Sequence, residues 1–193
     1  DKLGVALKTV VPEGQTPHAA IVATAEKIQP DLIIMGRCGK TALARILMGN
    51  VTARVIGHSP FNVLVVPRGA ALAFQRLLVA SDGSPYSESA LKLALSMAKQ
   101  AHSHLIGVAV APEEGDIIES QAIIRRMITA ASRARVPFKG VNPQGVAPDA
   151  GIVQQAIKNE VDLIIVGSYG RTGLKKLLMG SVTERVISQS PCP

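Results

Sequence analysis

The chain has 193 residues, 47% of them hydrophobic and 18% charged, with a formal charge of +7. That balance describes one large or two small globular domains and excludes a disordered chain; the positive charge suits an anionic partner but serves equally as a solvated surface. Aromatics make up only 3% with no Trp, and no apolar run approaches the ~20 residues of a membrane span, so neither single-strand nucleic-acid binding nor membrane insertion is expected.

In chain order, "FNVLVV" from Phe61 to Val66 reads as an apolar strand, and "RLLVAS" from Arg76 reads as a buried one. "SPYSESALKLALSMAKQA" follows as a helix, with Ser84 as N-cap and Pro85 at the first helical position. "HLIGVAVA" is the next strand and "IESQAIIRRMITAASRA" the next helix. "VPFKGV" and "APDAGIVQQAIKNE" repeat the alternation, the latter with Pro near its start, and "VDLIIVG" is a further strand before a last helix in "GSVTERVISQS". Strand and helix in regular alternation predict parallel strands with helices on both faces, the doubly wound α/β class. In such folds ligands bind at the carboxyl ends of the strands, where strand order reverses.

Displaced by 131 positions, the sequence matches itself: residues 1–62 align with 132–193 without a gap, and 29 of the 62 pairs are identical. This is a tandem duplication. The units divide at 69/70, so that residues 1–69 form the later half of a first repeat and 70–193 most of a second. The counterpart of "RLLVASD" is expected upstream of Asp1 and that of "FNVLVVPRG" beyond Pro193.

The densest agreement contains glycines. "MGRCGKTALARILMGNVTARVI" places Gly36, Gly39 and Gly49 where "VGSYGRTGLKKLLMGSVTERVI" places Gly167, Gly170 and Gly180. A glycine directly after a strand lets the backbone turn and approach a ligand closely. Ser181, with Glu184 three residues on, reads as a capping box at a helix mouth, whose unpaired N–H groups favour an anion. Loop and mouth together suit a polyphosphate. Two familiar phosphate loops are absent: in "GRCGKT" the first Gly of a Walker A loop falls on Ile34, and no G-x-G-x-x-G occurs.

The pattern G-x2-G-x9-G-S, after an Asp ending the opening strand, resembles the universal stress protein family. "LLVASDGSPYSESAL" is similar to that family's first strand and helix, and "DLIIVGSYGRTGLKKLLMGSVTERVI" to its closing signature. The resemblance implies a Rossmann-like fold of the adenine nucleotide alpha hydrolase type. It further implies that Gly167, Gly170, Gly180 and Ser181 hold phosphate and ribose, that Asp82 lies beside the nucleotide, and that the Val110 backbone contacts adenine. The ligand so implied is ATP, with Mg²⁺ as a companion ion; Asp82 has an independent reading as the turn former of "SDGS". In the first copy Gly36, Gly39 and Gly49 keep the spacing, but Asn50 stands in place of Ser181 and Ala53 in place of Glu184. Asn still caps helices, so the first site is the weaker one and a single complete site is expected in the second repeat.

Arg171, Lys175, Lys176, Lys40 and Arg45 flank the loops and either screen phosphate or form a solvated face. Cys38, the counterpart of Tyr169, is a plain loop residue or a reactive thiol. Cys38 and Cys192 make no disulfide framework or metal-ligand spacing, so a cytoplasmic, reducing setting is expected. His18, His58, His102 and His104 share no motif; His102 and His104 are read as pointing apart on a helix. No catalytic base is visible. Three functions stay open: an ATP-binding regulatory module, a nucleotide-free stress module acting through pairing of repeats or a homodimer along an edge such as "FNVLVV", and a slow adenine-nucleotide hydrolase. Nucleic acid is not an expected partner.

Overall fold

The structure, a computed structural model, describes residues 6–37, 48–170 and 179–193. The first repeat contributes α1 (Pro17–Ile28), β1 (Ile33–Gly36), α2 (Asn50–His58) and β2 (Val63–Val66). The second contributes β3 (Arg76–Ala80), α3 (Pro85–Ala101), β4 (His104–Val108), α4 (Ile117–Ala134), β5 (Phe138–Val141), α5 (Pro148–Lys158), β6 (Leu163–Ile165) and α6 (Ser181–Gln189). Among the described residues no helix is long and apolar enough to cross a membrane.

Every strand pair among the described residues is parallel. β1 and β2 pair with Ile33 opposite Val63, and the second repeat forms a sheet of order β5-β4-β3-β6. The near-continuous apolar run of β3 reflects burial on both faces. Leu77 and Val79 face α3 and α4, against Leu91, Ala94, Ile123 and Met127. Leu78 and Ala80, pointing the other way, meet Ile152 and Ala156 of α5 and Val186 of α6. Two helices on each face make the doubly wound arrangement that the alternation predicts. The path from β3 runs through α3 to β4 on one side, whereas β6 returns on the other, so strand order reverses between β3 and β6.

Local signals explain the element ends. The Ser84 hydroxyl accepts the Ser87 amide and Pro85 opens α3, as expected. The same helix ends on His102 in the left-handed conformation (φ 54°), while His104 starts β4. The reading that placed both histidines on one helix is therefore corrected: the chain turns between them.

The duplication is visible bond by bond. The Ile33 amide donates to the Asn62 carbonyl in the first repeat, and the Ile164 amide to the Pro193 carbonyl in the second, each at its 131-residue counterpart.

Candidate functional site

A cleft of about 320 Å³ opens at the carboxyl ends of β3, β4 and β6, beside the point where strand order reverses. Asp82, Val110, Gly167, Gly170, Gly180 and Ser181 all line it. The site is thus built from three strand ends and the start of one helix, and each contribution has a local cause.

After β3 the chain turns at Ser81–Ser84. The Asp82 carboxylate accepts the Ser84 amide at 3.0 Å, the Asx turn that "SDGS" suggests, while its second oxygen lies on the glycine-loop side. Below it, the Ser81 and Ser87 hydroxyls meet at 3.0 Å, and Ser87 donates onward to the Ser84 carbonyl. These two buried hydroxyls brace the floor of the cleft.

After β4, the amides of Ala109 and Ala111 donate to the Val141 and Pro143 carbonyls on the β5 side. Alternation along an extended chain turns the Val110 N–H and C=O to the opposite side, above the end of β3. A backbone donor and acceptor therefore stand together at the cleft wall.

After β6, the glycine loop is packed too tightly for side chains. A Cβ on Gly167 would lie 2.9 Å from the Tyr86 carbonyl carbon, and one on Gly170 would lie 2.9 Å from an Asp82 carboxylate oxygen. The loop is tied to the helix mouth by two bonds. The Gly180 amide donates to the Ser168 carbonyl at 2.9 Å, and the Thr183 hydroxyl donates to the Gly167 carbonyl at 2.7 Å.

The helix mouth differs from the expected capping box. Gly180, in extended conformation, is the N-cap of α6, and no side chain caps the helix; Ser181 is already its first residue. The S-x-x-E pattern is therefore displaced by one position. The physical consequence favours a ligand: the first amides of α6, orphaned by helix geometry, have no side-chain cap, and the first turn lines the cleft.

Sequence reasoning missed Thr183, Ser81, Ser87 and Tyr169 as parts of this site, and also Asp116 and Glu119, which line it near Val110. "VT" follows the last glycine in both copies, a signal that would have found Thr183. The cleft is electrically polar: a positive helix end on one side, and Asp82, Asp116 and Glu119 on others. No Lys, Arg or His is among its described lining residues, and no group of three or more described His, Cys, Asp or Glu is placed to hold a metal.

The first repeat keeps the same mouth. The Gly49 amide donates to the Arg37 carbonyl at 2.8 Å, and the Thr52 hydroxyl to the Gly36 carbonyl at 3.1 Å. Asn50 is the first residue of α2 and not its cap, which is Gly49; its side-chain oxygen accepts from Arg54 Nε at 3.1 Å and is turned along the helix. Cys38, Gly39, Lys40, Arg45, Arg171, Lys175 and Lys176 lie outside the described residues.

The model of the universal stress protein family matches residues 2–67 and 73–193, one stretch per repeat. Universal stress protein MJ0531 of Methanocaldococcus jannaschii is 32% identical over 136 residues, covering 62% of this chain and 79% of its own. A solved universal stress protein in complex with cAMP superposes with a TM-score of 0.53 at 27% identity, over 62% of this chain and 93% of that one. A universal stress protein structure from Archaeoglobus fulgidus shares the fold across both repeats, with a TM-score of 0.71 at 24% identity, over 91% of this chain and 63% of that one. The chain spans about 60% of the length of the mycobacterial relatives it matches. Two family stretches, a parallel α/β sheet and a duplicated glycine loop agree: the chain belongs to the universal stress protein family.

Proposed function

We propose that the cleft of the second repeat binds an adenine nucleotide, ATP with its Mg²⁺, and that the chain acts as a nucleotide-responsive regulatory module. The observation that carries this reading is the start of α6. Its amides have no side-chain cap, its first turn lines the cleft, and the glycine loop beside it is pressed against Asp82. Phosphate oxygens at such a mouth gain roughly 0.3–1 kcal/mol from the helix dipole, in addition to direct hydrogen bonds.

The polarity of the cleft orients the ligand. The phosphates take the positive mouth and the amides of Gly170 and Ser181, while the Gly180 amide stays bound to the Ser168 carbonyl. The Val110 N–H and C=O pair meets the edge of adenine, and Asp82 accepts from ribose or takes one position on Mg²⁺, which commonly uses one or two carboxylates with substrate phosphates. The complex of a 27% identical relative with cAMP supports an adenine nucleotide as the ligand class.

Binding, not turnover, is the expected output. Phosphoryl transfer needs a residue that orients the attacking water and cations that spread the developing charge. The groups that line the cleft, backbone amides, hydroxyls and the Asp82 carboxylate, supply binding contacts. Titration calorimetry with ATP and Mg²⁺ tests the reading, with ADP and cAMP as competitors and Gly180→Val as the control. Saturable ATP binding that Gly180→Val abolishes is expected; no binding, or equal binding by both proteins, overturns it.

A further inference from the structure

Among the described residues three hydrogen bonds run between the repeats, and they run in reciprocal directions. The Tyr169 hydroxyl, in the second glycine loop, donates to the Gly57 carbonyl near the end of α2 at 3.2 Å. The Arg37 guanidinium, in the first glycine loop, donates to the carbonyls of Ser190 at 2.8 Å and Ile187 at 3.5 Å, at the end of α6. Shifted by 131, Arg37 corresponds to Ser168, next to Tyr169, and Gly57 corresponds to Ser188, next to Ile187. Each repeat thus sends a side chain from its own glycine loop to the carboxyl end of the other repeat's last helix. The last carbonyls of a helix lack intrahelical donors, so these are the places where an added donor holds most.

Tyr169 occupies a special place in this exchange. It sits between Gly167 and Gly170, its ring lies 5.2 Å from that of Tyr86, and it lines the nucleotide cleft on one side. On the other side it lines a cavity of about 630 Å³ whose walls come from both repeats, among them Leu32, Phe61 and Leu64 of the first. A ligand that draws the Gly167–Gly170 loop onto itself therefore acts on the residue that holds Gly57. The helix so held begins at the first repeat's own glycine mouth, Gly49–Asn50. Arg37 completes the circuit: from the first loop to the end of α6, and along α6 to the mouth of the second site.

We propose that Tyr169 relays occupancy of the second repeat's cleft to the first repeat, by fixing or releasing the carboxyl end of α2. The relay rests on the nucleotide reading of that cleft and names its regulation. The Tyr169–Gly57 bond forms around an empty loop as well, and occupancy, by fixing the loop, strengthens it. Linkage then requires the converse, since a free-energy coupling acts equally in both directions. Removing the hydroxyl must weaken nucleotide binding by the factor through which nucleotide tightens α2.

Hydrogen exchange read at residues 57–62, in the wild-type chain and in Tyr169→Phe, tests this with and without ATP and Mg²⁺. In the wild type, ATP is expected to slow exchange there about five-fold, the factor carried by one hydrogen bond of ordinary net strength. In Tyr169→Phe the slowing disappears, and ATP affinity falls by the same factor. If ATP binds while residues 57–62 exchange unchanged, or if the slowing persists in Tyr169→Phe, the relay is wrong although the site is right. If ATP does not bind, the nucleotide reading fails, and the ligand-free pair of proteins still decides the relay. Faster exchange at 57–62 in Tyr169→Phe retains the loop-to-helix link for another ligand, and equal exchange removes it. Arg37→Met supplies the reciprocal arm, with faster exchange expected at residues 188–192 and none of this change at 57–62.

Discussion

The two repeats share their scaffold and differ at residues proposed to meet the ligand. Both close the glycine loop with the same pair of bonds, Gly49 to Arg37 and Thr52 to Gly36 in one, Gly180 to Ser168 and Thr183 to Gly167 in the other. Both end the last helix in the same turn, with the Ser59 and Ser190 hydroxyls accepting the amides of Phe61 and Cys192. Those bonds are architectural, because they survive wherever the sequence otherwise diverges. On the proposed reading, a shared mouth binds phosphate only where the rest of the site stands beside it, and there the copies differ: Ser181 against Asn50, and Asp82, whose aligned position falls outside residues 1–69.

The largest test of that division is a matched pair of substitutions. Gly180→Val should lower ATP affinity at least 100-fold, about 2.7 kcal/mol, because the side chain enters the mouth of α6. Gly49→Val, its mirror, should leave the stoichiometry at one and the affinity within about two-fold of wild type. Calorimetry reads both. Equal losses would mean that the first repeat binds nucleotide too, or that the two mouths are not independent.

Asp82→Asn should have the next effect. The amide oxygen of Asn can still accept the Ser84 N–H, now 3.0 Å from Asp82 Oδ1, so the turn is kept while the charge is lost. Affinity for ATP with Mg²⁺ should fall about ten-fold, roughly 1.4 kcal/mol, and the advantage of Mg²⁺ over EDTA should shrink with it. A loss that is identical in EDTA would assign Asp82 to the ribose and not to the ion.

Much of this was legible in the residues. The order of strands and helices in the second repeat follows from buried apolar runs such as "LLVA" and from the Ser84–Pro85 start of α3, because local propensity and burial agree there. The glycine spacing pointed to the cleft, since Gly167 and Gly170, where a Cβ would come within 2.9 Å of a neighbour, are glycine in the first copy too. The helix start was misread by one residue. S-x-x-E looks like a capping box wherever it occurs, and only the extended backbone of Gly180 reveals that the cap has moved one position back. Tyr169 was invisible for a different reason. Its counterpart is Cys38, so the duplication offers no common letter, and its role depends on Gly57, 112 residues away. His102 and His104 misled because a left-handed helix end carries no mark when the residue there is not glycine.

A smaller effect separates the helix pairs. Asp149, buried on α5, accepts from Arg185 Nε of α6 at 3.1 Å. The first repeat has His18 and Arg54 at those places, and Arg54 turns to Asn50 instead. Asp149→Asn should cost about 1–2 kcal/mol, since the bond is charge-assisted but Arg185 is half exposed. The midpoint of thermal unfolding should then fall by about 2–6 °C. His18→Asn should stay within about 0.5 kcal/mol. Comparable losses at both sites would show that the first repeat hides an equivalent anchor.

The smallest difference is at the chain's last turn, where Phe61 in the first repeat gives way to Cys192 in the second. Burial pushes the Cys192 thiol above its ordinary range, and the nearby Asp162 adds to the shift, with the Ser190 hydroxyl opposing it. A thiol whose folded-state value is raised holds its proton more tightly when folded. Its contribution to stability is therefore complete below the ordinary thiol pKa, about 8.5, and is lost as pH rises through the folded value. Unfolding midpoints of the wild-type chain should fall more steeply above that pH than those of Cys192→Ala, and the two curves should run parallel below it. Alkylation should follow the same logic: Cys192 should react more slowly than a free thiol at pH 8, because the thiolate is the reactive species. Fast alkylation at neutral pH would place the thiol in solvent, and the shared turn at Ser59 and Ser190 would then be closed in the first repeat alone.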